Sequence, residues 1–280
     1  MHRAIGRLVV PALLLSAALA GSACTVFSYA GDGVLLFGSN EDYPYLEPHI
    51  WFLEGREPYH GALCLGWADW SLQGGMNTAG LCFDATGSTA ITLTWHKEKA
   101  AAPPGWPKMI LQRCATVDEV ETFIRRYDFS TSGMAQFLWF DRNGDSLIVT
   151  SGADGEAAFL RQSGGYRVIT NFNVTDTSVG THPCWRYDTA EMMLRQVEAG
   201  AVSPTIAMFR AILNGVHQPH ATAYSNIFDL TTLTAYIYRN HDYRDVRIID
   251  LAEVFEVGAR GLMTLDAYFD ATSDGTPRSG

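Results

Sequence analysis

Apolar and polar positions alternate in short bursts along most of this chain. Thr25–Tyr29 and Val34–Phe37 are two such bursts, set on either side of Ala30-Gly31-Asp32-Gly33. The pattern predicts a β-hairpin with a four-residue glycine-rich turn. Phe137–Phe140 and Ser146–Val149 predict a second hairpin, around Asp141-Arg142-Asn143-Gly144-Asp145. Further strands are predicted at Leu81–Ala85, Tyr166–Thr170, Tyr224–Phe228, Leu233–Tyr238 and Val246–Ile249. Helical spacing interrupts them. Thr116 and Glu119 form a capping box ahead of Val120, Phe123 and Ile124. Ala190–Val197 carries an apolar stripe. Ser203-Pro204 reads as an N-cap with proline at the first helical position, and Gly215 as the stop. Strands in hairpins separated by runs of helix predict an α+β domain of antiparallel sheets covered by helices, not a parallel βαβ sheet. Lys99–Pro107 is the one candidate loop or lid, and no repeat of 20–50 residues is visible.

Residues 1–23 stand apart from this alternation. Arg3 and Arg7 precede an apolar run from Leu8 to Ala20, and small residues follow it. That is the layout of a secretory signal, and it predicts a secreted or periplasmic protein. The run is too short and alanine-rich for a membrane span, and no other segment is long enough. One domain over 24–269 and a polar, flexible tail over 270–280 complete the predicted organisation.

Composition narrows the function classes. The 280 residues are 47% hydrophobic and 18% charged, which builds a core and argues against disorder. Net charge is -10, and removing the two signal arginines makes the remainder more acidic still. Such a chain repels phosphate, which counts against nucleic acid or an anionic membrane as partner. Five cysteines leave one over if the other four pair.

Cys24 is the cysteine with a candidate role. Gly21-Ser22-Ala23 fits a cut after Ala23, which makes Cys24 the new N-terminus. Two readings compete: lipidation of Cys24 as a lipoprotein anchor, or use of Cys24 as an N-terminal nucleophile. If Tyr29 pairs with Val34, Cys24 lies opposite Ser39, and Ser39-Asn40-Glu41-Asp42 emerges beside it. An α-amine, a thiol and a carboxylate then meet through local geometry. The amine, with an ordinary pKa near 8, takes the thiol proton, and Asp42 holds the amine by a charge-assisted hydrogen bond. The alternative is that Asp42 only caps the loop after the strand.

CTVFSYAGDGVLLFGSNEDY (24–43) resembles the N-terminal segment of the linear-amide Ntn hydrolases. That group holds choloylglycine (bile salt) hydrolases, penicillin V acylases and isopenicillin-N acyltransferase-like proteins. LQGGMNTAGLCFDATG (72–87), TVDEVETFIRRY (116–127), QFLWFDRNGDSLIVT (136–150), VITNF (168–172), HPCWRYD (182–188) and YSNIFDLTTLTAYIYRNHDYRDVRIIDL (224–251) continue the resemblance in order. It implies a four-layer αββα sandwich of antiparallel sheets. It implies Cys24 as nucleophile, Asp42 as the aspartate that contacts it, Asn171 as a side-chain oxyanion donor and Arg186 as a brace. A backbone N–H near Asp84–Gly87 would be the second oxyanion donor. The implied activity is cleavage of a small-molecule N-acyl amide through a thioester, with no metal or cofactor. Transfer of the acyl group to another amine uses the same site, and family members are often homo-oligomers. The runner-up is a secreted or lipid-anchored binding domain with an inactive version of the fold. Ser39 stands where bile salt hydrolases carry an arginine in the Gly-x-Asn-x-Asp pattern. Its loss removes a charge that favours the thiolate and counts against bile salts as substrate.

Other motifs have plainer readings. His217-x-x-His220 lacks a second ligand pair and contains Pro219. Asp141–Asp145 has its glycine at the wrong position for a calcium loop, so it reads as a turn. A papain-like site would need its nucleophile on a helix, whereas Cys24 begins a strand. Asn173-Val174-Thr175 is a glycosylation sequon, meaningful only in a eukaryotic secretory pathway. Among Trp51, Trp67, Trp70, Trp95 and Trp106, some are candidates for an acyl pocket and each is individually a candidate for packing. Cys64, Cys82, Cys114 and Cys184 are free thiols or bridges in any of three pairings.

Overall fold

The computed structural model describes residues 24–87, 93–130, 135–256 and 261–272. The predicted signal segment 1–23 and residues 273–280 of the predicted tail lie outside the described residues. The chain runs β1 Thr25–Gly31, β2 Val34–Asp42, β3 Pro48–Leu53, β4 Ala62–Trp67, β5 Leu72–Asn77, β6 Cys82–Gly87 and β7 Ala100–Ala101. Then come α1 Trp106–Arg113, α2 Val117–Arg125, β8 Tyr127–Asp128, β9 Ala135–Phe140, β10 Asp145–Ser151, β11 Ala157–Ser163 and β12 Gly165–Ile169. β13 Phe172–Asn173, β14 Asp176–Gly180, α3 Trp185–Glu198, α4 Ile206–Val216, β15 Thr222–Asp229, β16 Thr234–Arg239 and β17 Val246–Asp250 follow. The described chain closes with α5 Leu251–Glu256, β18 Met263–Thr264 and α6 Leu265–Ala271.

Two antiparallel sheets face each other. One has the order β12-β1-β2-β15-β16-β17, the other β11-β10-β9-β6-β5-β4-β3-β18. α3 and α4 cover the first sheet, and α1 and α2 cover the second. This is the αββα arrangement that the resemblance implied. Three apolar layers follow from it. Val26, Phe37, Leu138, Phe140 and Phe228 fill the space between the sheets. Phe27, Tyr29, Leu36, Leu194 and Phe209 pack the first sheet on its helices. Phe83, Trp139, Ile110 and Val120 pack the second. Because both faces of β1 are covered, six of its seven residues are buried. Alternation in β1 therefore separates two cores, not core from solvent.

The first hairpin is tighter than expected. Gly31 pairs with Val34, so the turn is only Asp32-Gly33. Both residues have positive φ, 54° and 74°, as a two-residue hairpin turn that matches the strand twist requires. Tyr29 consequently faces Leu36, not Val34. The register moves by two positions, which leaves every side chain on its predicted face. Three other boundaries are corrected. Thr205, not Ser203, caps α4, its side chain accepting from Met208 N–H, and the helix runs one residue past Gly215. Leu233 sits at φ 56° in the turn, so β16 starts at Thr234. Within Lys99–Pro107, Ala100–Ala101 pairs in parallel with β8, and Trp106 opens α1.

Asp141 ties this framework together. Its Oδ1 accepts the N–H groups of Asn143 and Asp145 in the second hairpin turn, and its Oδ2 accepts Val117 N–H at the start of α2. Thr116 and Glu119 complete the predicted capping box at the same helix end. The sequon asparagine, Asn173, is buried and donates to Ser151 O, so its amide is engaged inside the fold. All five cysteines are buried free thiols. Trp51 and Trp67 are core residues, whereas Trp70 and Trp95 are exposed.

Candidate active site

Cys24 directly precedes β1 and is 2% exposed. The registers place its neighbours. Thr25 pairs with Asn40, so one step further Cys24 lies opposite Glu41, not Ser39. Glu41 in turn pairs with Tyr224 on β15. On the other side Val26 pairs with Ile169, so two steps further Cys24 lies opposite Asn171. Directly opposed residues in antiparallel strands share a face. Asn171, Cys24, Glu41 and Tyr224 therefore form one row on the face between the sheets. Ser39 and Asn226 stand in the next row, beside Val26.

Asp84 enters from the opposite sheet. It is fully buried on β6, which contacts β1 across the interlayer. Its cross-strand partner is Gly74. A Cβ at Gly74 would lie 2.4 Å from Asp84 Oδ2, so the glycine makes room for the carboxyl group. Ser39 lies beside the same carboxyl, and Ala85 N–H donates to it at 2.7 Å.

Asp42 occupies the other face of β2. A bulge at Ala223 brings Thr222 opposite Asp42. The Thr222 hydroxyl donates to Asp42 Oδ1, and Gln218 Nε2 donates to its Oδ2 at 2.7 Å. Arg186 Nη1 stands 4.0 Å from the same carboxylate. The Asp42 carboxyl is thus taken up by Thr222, Gln218 and Arg186, and towards the thiol it is the Asp42 backbone N–H that favours the charged form. The side-chain carboxyl that stands in the row with the thiol is Glu41.

Arg186, at the start of α3, joins the pieces. Nη1 donates to Cys24 O at 2.6 Å and to Thr25 Oγ1 at 2.8 Å, and Nη2 donates to Asn171 Oδ1 at 3.0 Å. The planar fork holds three positions at once. Asn171 Nδ2 donates to Gly87 O at 2.6 Å, which puts the amide beside the last residue of β6. Thr86 Oγ1 and Gln136 Nε2 donate to Thr170 O, and so strap the segment after β12 to the second sheet. Sequence reasoning missed Glu41 as the thiol's neighbour in the row, and missed Asp84 and Tyr224 altogether. Glu41 had a signal, since the two-residue Asp-Gly turn fixes it opposite Cys24. Asp84 had none, because it arrives from a distant strand of the other sheet.

Electrostatics set this site apart. Burial, then Glu41, Asp42 and Asp84, push the Cys24 thiol well above its ordinary pKa. Burial and the Asp84 charge raise Glu41 well above the usual carboxylate range. Burial lifts Asp84 to about 7. Burial also lifts Asp42 to about 6, opposed by its bonds to Thr222 and Gln218 and by Arg186. Burial and these carboxyl groups disfavour a preformed thiolate at Cys24. Among the described residues no group of three or more metal-binding side chains occurs.

No protein-family model matches the chain, and no curated protein sequence matches it. Solved structures do. The fold is shared with solved structures of conjugated bile acid hydrolase and penicillin V acylase. A variant of conjugated bile acid hydrolase from Clostridium perfringens superposes with TM-score 0.65 at 16% identity, over 86% of this chain and 96% of that one. Penicillin V acylase from Agrobacterium tumefaciens gives TM-score 0.65 at 18% identity, over 83% and 87%. A second variant of the Clostridium enzyme gives 0.63 at 16%, over 82% and 93%.

Proposed function

We propose that this chain is an exported hydrolase of linear amide bonds in small N-acyl substrates, with Cys24 as its N-terminal nucleophile. The observation that carries the reading is the row Asn171–Cys24–Glu41, braced by Arg186, at the head of β1 in this fold. Residues 1–23 supply the cleavable leader, and their removal frees the Cys24 α-amine. The sulfur attacks the amide carbonyl. Asn171 Nδ2 turns from Gly87 O to the developing oxyanion, joined by a backbone N–H at the end of β6. One such donor is commonly worth about 10²–10³ in rate. The leaving nitrogen receives a proton, and water cleaves the thioester. Asp42, on the far face of β2 with Arg186, fixes the strand that carries Glu41 past the sulfur. The buried position of the sulfur supports catalysis over lipidation, since a lipid thioether has no room between two sheets.

The test is turnover of penicillin V, conjugated bile salts and acyl-homoserine lactones by the purified protein and by Cys24→Ala. The expected result is turnover of at least one amide that Cys24→Ala lacks. Equal turnover by both proteins would overturn the assignment.

A further inference from the structure

Outside the first sheet, α4 and the turn between β16 and β17 enclose a cleft of about 890 Å³. Its floor is one face of α4, where Ala207 and Ala211 keep the helix wall low and Arg210 stands beside them. Their spacing of three and four residues puts them on a single face. The turn forms the opposite wall and brings His241, Tyr243 and Arg244. That wall is tied into the fold. Asn240 and His241 both take positive φ, 49° and 50°. Asn240 N–H donates to Ala223 O at 3.0 Å, and Asp242 N–H to Arg239 O at 2.9 Å. His241 stacks on His217 with ring centroids 5.0 Å apart. Tyr243 is buried, and its hydroxyl lies 3.1 Å from Leu213 O and 3.3 Å from Asn40 Oδ1.

Charge distinguishes this cleft from the rest of the surface. The chain carries a net -10, yet two arginines and a histidine line the cleft against one acid, Asp242. Asp242 is engaged with Arg244, at 3.1 and 3.5 Å. Both side chains are exposed, and such a pair is worth about 0–1 kcal/mol, so an incoming anion can share Arg244. Among the described residues Arg210 has no ion-pair partner, and Nδ1 of His241 is buried without a hydrogen-bond partner. Polar capacity is therefore left uncommitted on both walls. The volume lies within the roughly 300–1,000 Å³ of small-molecule sites, and an inorganic ion alone would not fill it. We propose that this cleft binds a small organic anion. Its carboxylate or phosphate head sits on Arg210 and Arg244, whose planar forks match either group. Its apolar body lies over Ala207, Ala211 and the Tyr243 ring. The site is separate from the nucleophile. The row Asn171–Cys24–Glu41 faces the second sheet, whereas α4 covers the opposite face of the first.

The test is binding to the protein purified from expression of the full chain, and it needs no turnover. The probes are benzoate, phenyl phosphate, inorganic phosphate and, as a neutral control, benzyl alcohol, each titrated by calorimetry at neutral pH. Benzoate or phenyl phosphate should bind saturably, at least about tenfold tighter than benzyl alcohol, which lacks the charged head, or inorganic phosphate, which lacks the body. The tighter of the two aryl anions identifies the head group. Arg210→Glu should weaken that binding at least about tenfold, the worth of one charge-assisted hydrogen bond. Ala211→Phe, which fills the floor, should weaken the aryl anions likewise. Both positions are exposed on α4, so neither change should lower the thermal midpoint appreciably. Hydrogen exchange with saturating anion should show added protection in Ile206–Val216 and in residues 240–245. Absence of saturable binding by either aryl anion would overturn the proposal. So would equal affinity in wild type, Arg210→Glu and Ala211→Phe, or protection confined to the strands around Cys24.

Discussion

Asp84→Asn should make the protein more stable in mild alkali, an outcome opposite to the usual effect of altering a buried polar residue. Asp84 has an ordinary pKa of 3.8 and is lifted to about 7 in the fold. Between those values the folded state binds a proton that the unfolded chain has released. Stability from this group is full below pH 4 and is lost as pH rises through about 7. A shift of about three units, at about 1.4 kcal/mol each, sets an upper bound near 4 kcal/mol. The Ala85 N–H bond is retained by either side chain, so about 2–4 kcal/mol is the expected range. Asparagine keeps the shape that Gly74 accommodates and has no charge to bury. Urea unfolding at pH 4.5 and pH 8 measures the effect. The variant should exceed wild type by only about 1 kcal/mol at the lower pH and by about 2–4 kcal/mol at the higher, with an unchanged m-value. Parallel pH dependence in the two proteins would refute the placement of a costly buried carboxylate at Asp84.

Three further outcomes follow from the same contacts. Asp141→Ala strips acceptors from three backbone N–H groups at once and should cost about 3 kcal/mol, read as a lower thermal midpoint with activity per folded molecule retained. Arg186→Lys loses the fork that holds Cys24 O, Thr25 Oγ1 and Asn171 Oδ1. It should lower kcat on a cleaved amide about tenfold or more with a small change in KM, because a displaced oxyanion donor acts in the transition state. Thr222→Val removes a donor to the Asp42 carboxylate, so the pKa of that group should rise further above about 6. A carboxylate-edited carbon NMR titration checks it, and an unmoved Asp42 resonance would contradict the assignment of that bond.

Much of the framework was legible because it rests on local rules. The Thr116–Glu119 box and the Asp141–Asp145 turn are short-range chemistry that tertiary packing did not override. The first hairpin was legible in its faces and not in its register. Ala30-Gly31-Asp32-Gly33 admits more than one turn, and the sheet chose the one with two positive-φ residues. That choice exchanged Ser39 for Glu41 opposite Cys24, so a two-position slip changed the thiol's neighbour while sparing the core. Thr205 displaced Ser203 as a cap because its hydroxyl reaches Met208 N–H. Asp84 was illegible for a different reason: a buried carboxyl on a strand of the second sheet has no sequence signature tying it to Cys24. The four residues of the site implied by family resemblance divide accordingly. Arg186 binds the Cys24 and Asn171 positions directly, while the Asp42 carboxyl is taken up by Thr222, Gln218 and Arg186.

The central claim is that Cys24 is a free N-terminal nucleophile, and the most direct test is the mass of the N-terminal peptide of the purified, active protein. The account predicts a peptide beginning at Cys24 with an unmodified α-amine and thiol. An active protein that retains residues ahead of Cys24, or carries a lipid on that sulfur, would contradict it.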